Sequence, residues 1–292
     1  YFDHAATTPV HPKVIKKMDE VSKLDYGNPS SIYSSGRAAK SIIEQARNEI
    51  AKMIDAKPSE IYFTGSGTES NNTVIWSLLH QQNKHVITSA IEHPAVLKVL
   101  HELSIFGISY DILPVDSTGL VNPADLESAI RKDTALISIM YVNNEVGTIQ
   151  NIEDLIGVAQ SHSILFHSDC VQAVGKLPIS TKSIDADYMS FSAHKFYGPK
   201  GIGFLYKKSG AHLKPLIIGG GQESNVRAGT ENISGIAGLG IAAQLVNTNL
   251  NNRIEHLSEL ENYFKNLLIE HSPEIIFHGN STKHVPGLCS IA

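Results

Sequence analysis

Cysteine is scarce. The 292-residue chain has two, Cys170 and Cys289, too few for a disulfide framework, so a reducing cytoplasm is the expected compartment. Long apolar runs are missing; none approaches the length of a membrane span. Long basic runs are missing too, and the net charge is −5, which argues against direct nucleic-acid binding. The N-terminus, YFDHAATTP, has neither a signal-peptide apolar core nor an Arg-rich transit pattern. It also lacks a starting Met, and the chain stops in mid-pattern at Cys289-Ser290-Ile291-Ala292. Both ends are therefore read as lying within a longer sequence. There is no internal repeat and no low-complexity segment.

What is present is a rhythm. After an extended start, residues 12–24 have a helical pattern and 37–54 a clear amphipathic one, with Ala39, Ile42, Ile43, Ala46, Ile50 and Ile54 on one face. Between them YGNPSSIYSS (26–35) is a polar loop. Strands are expected at 61–64, 85–89, 109–113, 135–141 and 164–168, alternating with helices at 68–82, 94–106, 123–131 and 152–161. That alternation predicts an α/β fold with a doubly wound, mostly parallel sheet, whose ligands gather at the C-terminal ends of the strands. Later come a Gly219-Gly220-Gly221 turn, an apolar helix near 233–246, a charged helix near 253–269 and an edge strand at 274–277. The change of pattern near Asn251 is the expected domain boundary.

The chemistry centres on YMSFSAHKFYGPKGIG (188–203), which places Lys195 between two apolar strands. A lysine held there loses hydration, its pKa falls, and it becomes a nucleophilic amine able to form a Schiff base. The alternative is a turn lysine reaching to water; Lys200 fits that better. Between a strand and a helix, TGSGTESN (64–71) combines glycines, hydroxyls and a helix N-terminus, a plausible phosphate cradle or an ordinary capped turn. It is not a P-loop, since no Gly-Lys-Ser/Thr follows. Asp169, ending the strand ILFHSD, could pair with a protonated pyridine nitrogen or simply cap a helix. Gln172 could donate to a phenolate oxygen. His93 could stack on a ring or cap the helix that starts at Pro94. Asn144 also follows a strand. One pyridoxal 5'-phosphate (PLP) site at the strand ends accounts for all of them together.

The chain resembles the NifS/IscS-type cysteine desulfurases, class V of the fold-type-I PLP enzymes. The matching motifs run the whole length: YFDHAATTP (1–9), GNPSSIYSSGR (27–37), GSGTESNN (65–72), EHPAV (92–96), NNEVGTIQ (143–150), HSDCVQAVGK (167–176), SFSAHKFYGPKGIG (190–203) and GGGQESNVRAGTEN (219–232). The resemblance implies a mostly parallel sheet sandwiched by helices over 12–251, with a smaller α+β domain from 1–11 and 252–292. It implies Lys195 as Schiff-base lysine and proton shuttle, and Asp169 on the pyridine nitrogen. Gln172 would meet the phenolate oxygen, His93 the ring face, and Asn144 the cofactor and substrate side. Gly67, Thr68, Ser192 and His194 would hold the phosphate, and Thr230 would reach the neighbouring subunit's phosphate in a homodimer. The substrate would be L-cysteine, and its sulfur would pass to an enzyme cysteine and on to an iron–sulfur scaffold or a tRNA-thiolation protein.

Two departures stand out. Ser224-Asn225 replaces the family's usual Arg-Gly, and Cys170 stands where a small residue is usual; it is read as a buried residue facing away from Asp169. The family's nucleophilic cysteine and its carboxylate-binding arginine would both fall beyond residue 292. Two other functions remain open, and the pocket residues barely discriminate the first of them. One is a selenocysteine lyase or other class V PLP lyase; the other is a non-catalytic sulfur-transfer partner, against which the set Lys195, Asp169, Gln172 and His93 argues.

Overall fold

Neighbouring residues on the central strands are buried on opposite sides. Val86, Leu136 and Leu205 belong to one apolar cluster, while Ile87, Ile137, Phe204 and Tyr206 belong to another. Side chains alternate faces along a strand, so a sheet whose strands carry apolar residues at every position must be covered on both faces. The computed structural model describes residues 1–292 and shows this arrangement.

Seven strands form the main sheet: β1 (Ile61–Thr64), β2 (His85–Ser89), β3 (Ser109–Leu113), β4 (Thr134–Ser138), β5 (Leu165–Asp169), β6 (Tyr188–Ser192) and β7 (Gly203–Lys207), in the order β1-β7-β6-β5-β4-β2-β3. Pairing is parallel from β3 through β6; β7 alone is reversed against its neighbours β6 and β1. Thus β1, β2, β4, β5 and β6 all end at one edge of the sheet. Helices α3 (Gly67–Ser77) and α4 (Pro94–Leu103) cover one face through Val74, Ile75, Val96 and Leu100. The other face carries α2 (Ser34–Met53), α5 (Pro123–Ala129), α6 (Ile152–Ser161) and the start of α7 (Ile233–His271), with α1 (Pro12–Leu24) against α7.

Four expectations change. Strand β4 ends at Ser138 rather than residue 141, because the Met140 N–H is taken by the Glu92 carboxylate at 2.8 Å. The helix expected over 68–82 ends at Ser77, in a short 3₁₀ turn over Leu78–His80. The two helices expected on either side of Asn251 are one 39-residue helix, α7. The polar run NTNLNN between them contains neither Pro nor Gly, so nothing interrupts the backbone bonds. Strands β8 (Phe277–His278) and β9 (Ser290–Ile291) form a separate antiparallel pair, so the edge strand expected at 274–277 is shorter and begins later. No helix is long and apolar enough to cross a membrane.

Candidate active site at the strand ends

The edge where β1, β5 and β6 end is the floor of a cavity of about 460 Å³. Its phosphate-type corner is built by the β1–α3 turn. Ser66 caps α3, its hydroxyl accepting from the Glu69 N–H at 3.1 Å, and the next residue is Gly67. A Cβ on Gly67 would lie 2.5 Å from Val171 Cγ2, so only glycine fits at the cavity wall. Gly203, first on β7, permits the turn itself: its Cβ would meet the Ser66 backbone at 2.8 Å. The turn is further tied by Glu69, which accepts from the Gly65 N–H at 2.8 Å and pairs with Arg227 at 3.0 Å.

Asp169 ends β5 and is 5% exposed. Its carboxylate accepts from the Val171 N–H at 3.0 Å and from the Asn71 amide at 2.6 Å. Burial raises its pKa, and these two bonds, with the charges of His93 and Lys195, oppose the rise. Gln172 lies three residues on and donates from Nε2 to the Ala5 carbonyl at 2.9 Å.

Lys195 sits in the 3₁₀ turn between β6 and β7, half-buried, and its Nζ enters the cavity. It donates to the Ala5 and Ala6 carbonyls at 2.5 and 2.9 Å. Burial lowers its pKa; Asp169, Asp3 and Glu145 act in the other direction. The turn-lysine alternative thus fails for Lys195 and holds for Lys200, which is exposed. The N-terminal segment that Lys195 touches is held in place by Thr8, whose hydroxyl donates to the His194 carbonyl at 2.8 Å. His194 Nδ1 meets the Thr7 hydroxyl at 3.0 Å. Burial, then the charges of Lys195 and Lys200, pull its pKa down to about 4, so the ring is neutral at pH 7.

On the opposite wall His93 does cap α4: its Nδ1 accepts from the Ala95 N–H at 3.0 Å. The capping ring also lines the cavity, so the two readings of this residue are compatible. Asn144 lines it as well, its amide donating to Glu145 at 2.5 Å. Gly67, Thr68, His93, Asn144, Asp169, Gln172, Ser192, His194 and Lys195 are therefore brought to one cavity, and Thr230 is not; it is exposed elsewhere. Sequence reasoning missed Asn71, one turn into α3 from Gly67, and the Ala5 and Ala6 carbonyls. Cys170 is fully buried, as expected, and burial pushes its thiol pKa up. Cys289 does not line the cavity.

A family model, Aminotransferase class-V, matches residues 1–292. The chain belongs to the class-V aminotransferase family. Within it the chain is similar to curated proteins named cysteine desulfurase IscS. The protein from Dictyoglomus turgidum is 47% identical over 98% of this chain and 73% of its own length. That from Methanosarcina thermophila is 47% identical over 84% of this chain and 61% of its own length. Among solved structures, a NifS-like protein matches with TM-score 0.94 at 38% identity, over 98% of this chain and 79% of that one. SspA in complex with cysteine matches with TM-score 0.81 at 43% identity, over 84% and 72%.

Class-V enzymes depend on PLP, and the residues here fit it. The Gly67 wall leaves backbone at a helix N-terminus, the arrangement an anionic phosphate needs. A buried carboxylate and a half-buried amine with depressed pKa face the same cavity.

Proposed function

We propose that this chain catalyses PLP-dependent desulfuration of L-cysteine, releasing L-alanine and passing the sulfur to a cysteine thiolate and then to an acceptor for iron–sulfur assembly or tRNA thiolation. The observation that carries the reading is the convergence of Lys195 Nζ and the Asp169 carboxylate on one cavity beside the N-terminus of α3. The names of the relatives and the cysteine held by SspA support it.

PLP, when bound, supplies an electron sink for the charge left on the substrate's α-carbon. The protein's part is positioning and proton traffic. Gly67, Thr68, Ser192 and His194 hold the phosphate; with Thr7 on Nδ1, the neutral His194 ring has Nε2 left for it. Asp169, accepting from Val171 and Asn71, would pair with the pyridine nitrogen and hold its proton. Gln172 donates to the ring's phenolate oxygen, His93 covers the ring face, and Asn144 meets the substrate side. Lys195 Nζ would be the amine that holds the cofactor covalently. Freed, it has the Ala5 and Ala6 carbonyls to park on. Its lowered pKa suits it to take the α-proton and return one to the product. The sulfur-accepting thiolate is neither Cys170, which is buried, nor Cys289, which is outside the cavity.

Residues 12–251 would form the PLP domain, with 1–11 and 252–292 part of a smaller one; the separate β8–β9 pair supports that division. Thr230, away from the cavity, suits a contact with a neighbouring subunit of a homodimer. The two cysteines, neither paired, suit the cytoplasm. Lys195→Ala tests the central assignment: the borohydride-reducible yellow chromophore and alanine production should both vanish, and a surviving reducible chromophore would remove Lys195 from the role. Parallel assays with cysteine and selenocysteine set the preferred substrate.

A further inference from the structure

Lys176 is buried, 7% exposed, and donates at 2.5 Å to Gln172 Oε1. That is the side chain's one hydrogen bond. Burial, then the cations Lys195 and Arg253, lowers its pKa to about 7. A buried ammonium without a carboxylate partner is costly, and an apolar side chain of equal length would avoid the cost. Its one contact is therefore where its use should be sought.

That contact solves a problem of orientation. The two ends of a glutamine amide are alike in shape, so only hydrogen bonding decides which faces the cavity. The Ala5 carbonyl is purely an acceptor and can face only Nε2, which turns Oε1 toward Lys176; the lysine amine, charged or neutral, has an N–H to donate to it. The Ala5 contact is shared, since Lys195 donates to the same oxygen. Lys176 is the unshared half of the lock. With both in place, the remaining N–H of Nε2 is left for the cavity.

We propose that Lys176 is a positioning residue: it holds the Gln172 amide with its nitrogen toward the cavity, so that Gln172 presents a donor and never an acceptor to the phenolate oxygen of PLP. This rests on the reading of Gln172 given above. In the full-length holoenzyme, Lys176→Met should move the midpoint pH of the cofactor's visible absorption in the same direction as Gln172→Ala. It should weaken PLP binding to the apoenzyme about ten-fold, the worth of one hydrogen bond to a charged group. Lys176→Arg, which also donates, should keep the wild-type spectrum. In the double variant, Lys176→Met should add nothing to Gln172→Ala, because the two act as one unit. An unchanged spectrum and PLP affinity in Lys176→Met, with only apoenzyme melting altered, would overturn the inference; so would additive shifts. If Gln172→Ala alone leaves the spectrum unmoved, the Gln172 assignment itself fails and takes the inference with it.

Discussion

Asn71 and Asp169, 98 residues apart in sequence, meet side chain to side chain at 2.6 Å beneath the cavity. The amide is one of two donors that oppose the rise burial causes in the Asp169 pKa, and its own Oδ1 is left without a partner. An orphaned buried oxygen has a cost that the Asp169 contact must offset. Asn71→Leu should therefore raise the Asp169 pKa further and weaken PLP binding by about 10- to 100-fold, the range for a hydrogen bond to a charged group. Fluorescence titration of the apoenzyme with PLP checks it. Wild-type affinity in the variant would mean that Val171 alone suffices.

Glu92 accepts from Ser89 Oγ at 2.6 Å and from the Met140 N–H at 2.8 Å, both on Oε1, while Oε2 has no partner. Burial pushes its pKa up to about 8 from an ordinary 4.5. Between those values the folded state holds a proton that the unfolded state has released. The contribution of Glu92 is complete below pH 4.5 and lost as pH climbs to 8, at up to about 1.4 kcal/mol per pH unit. Glu92→Gln keeps an oxygen for both donors and cannot ionise. Its unfolding midpoint, measured by urea titration at pH 5 and pH 8, should gain on the wild type at the higher pH. Parallel behaviour at the two values would place the titration elsewhere.

These two residues illustrate what can and cannot be read along a chain. Lys195, Asp169 and His93 lie at or just beyond strand ends, where residue type and position together announce chemistry. Glu92 and Asn71 act on partners at Met140 and Asp169, and no local pattern records such distant pairings. The Ala5 and Ala6 carbonyls were invisible for another reason: a backbone oxygen has no residue signature. The strands were legible because burial on both faces demands continuous apolar runs. The unbroken α7 is not legible because the change of pattern near Asn251 alters composition without bringing Pro or Gly, and so costs a helix only modestly.

Glu223 should be the most sensitive position outside the cavity. Its carboxylate takes both ends of the Arg47 guanidinium at 2.7 and 2.9 Å, and also the Phe63 N–H of β1 at 2.8 Å. Its side chain is 3% exposed. Glu223→Ala would leave the largely buried Arg47, stacked over the Phe63 ring, with only the half-exposed Glu44 at 3.3 Å as counter-charge. Breaking one side of such a pair costs about 3–5 kcal/mol. Chemical denaturation should show a loss of that order, and a loss below about 1 kcal/mol would mean the pair behaves as an exposed one.

The loop carrying Glu223 stores strain beside that anchor. Glu223, Ser224 and Asn225 follow one another with φ of 45°, 55° and 65°, all in the left-handed region. Asparagine tolerates that conformation; serine, with its Cβ against the following carbonyl, does so less well. Ser224 is exposed, so its side chain contributes little packing. Ser224→Gly should relieve the clash, and the added freedom of the unfolded chain takes back part of the gain. The expected net effect is about 0.5–1 kcal/mol of stabilisation, a rise of roughly 1–3 °C in melting temperature. Ser224→Ala, which keeps the Cβ, should give no such rise. If glycine lowered the melting temperature instead, the Ser224 side chain would have to be holding the loop, and the strain would be its consequence rather than a cost carried for Glu223.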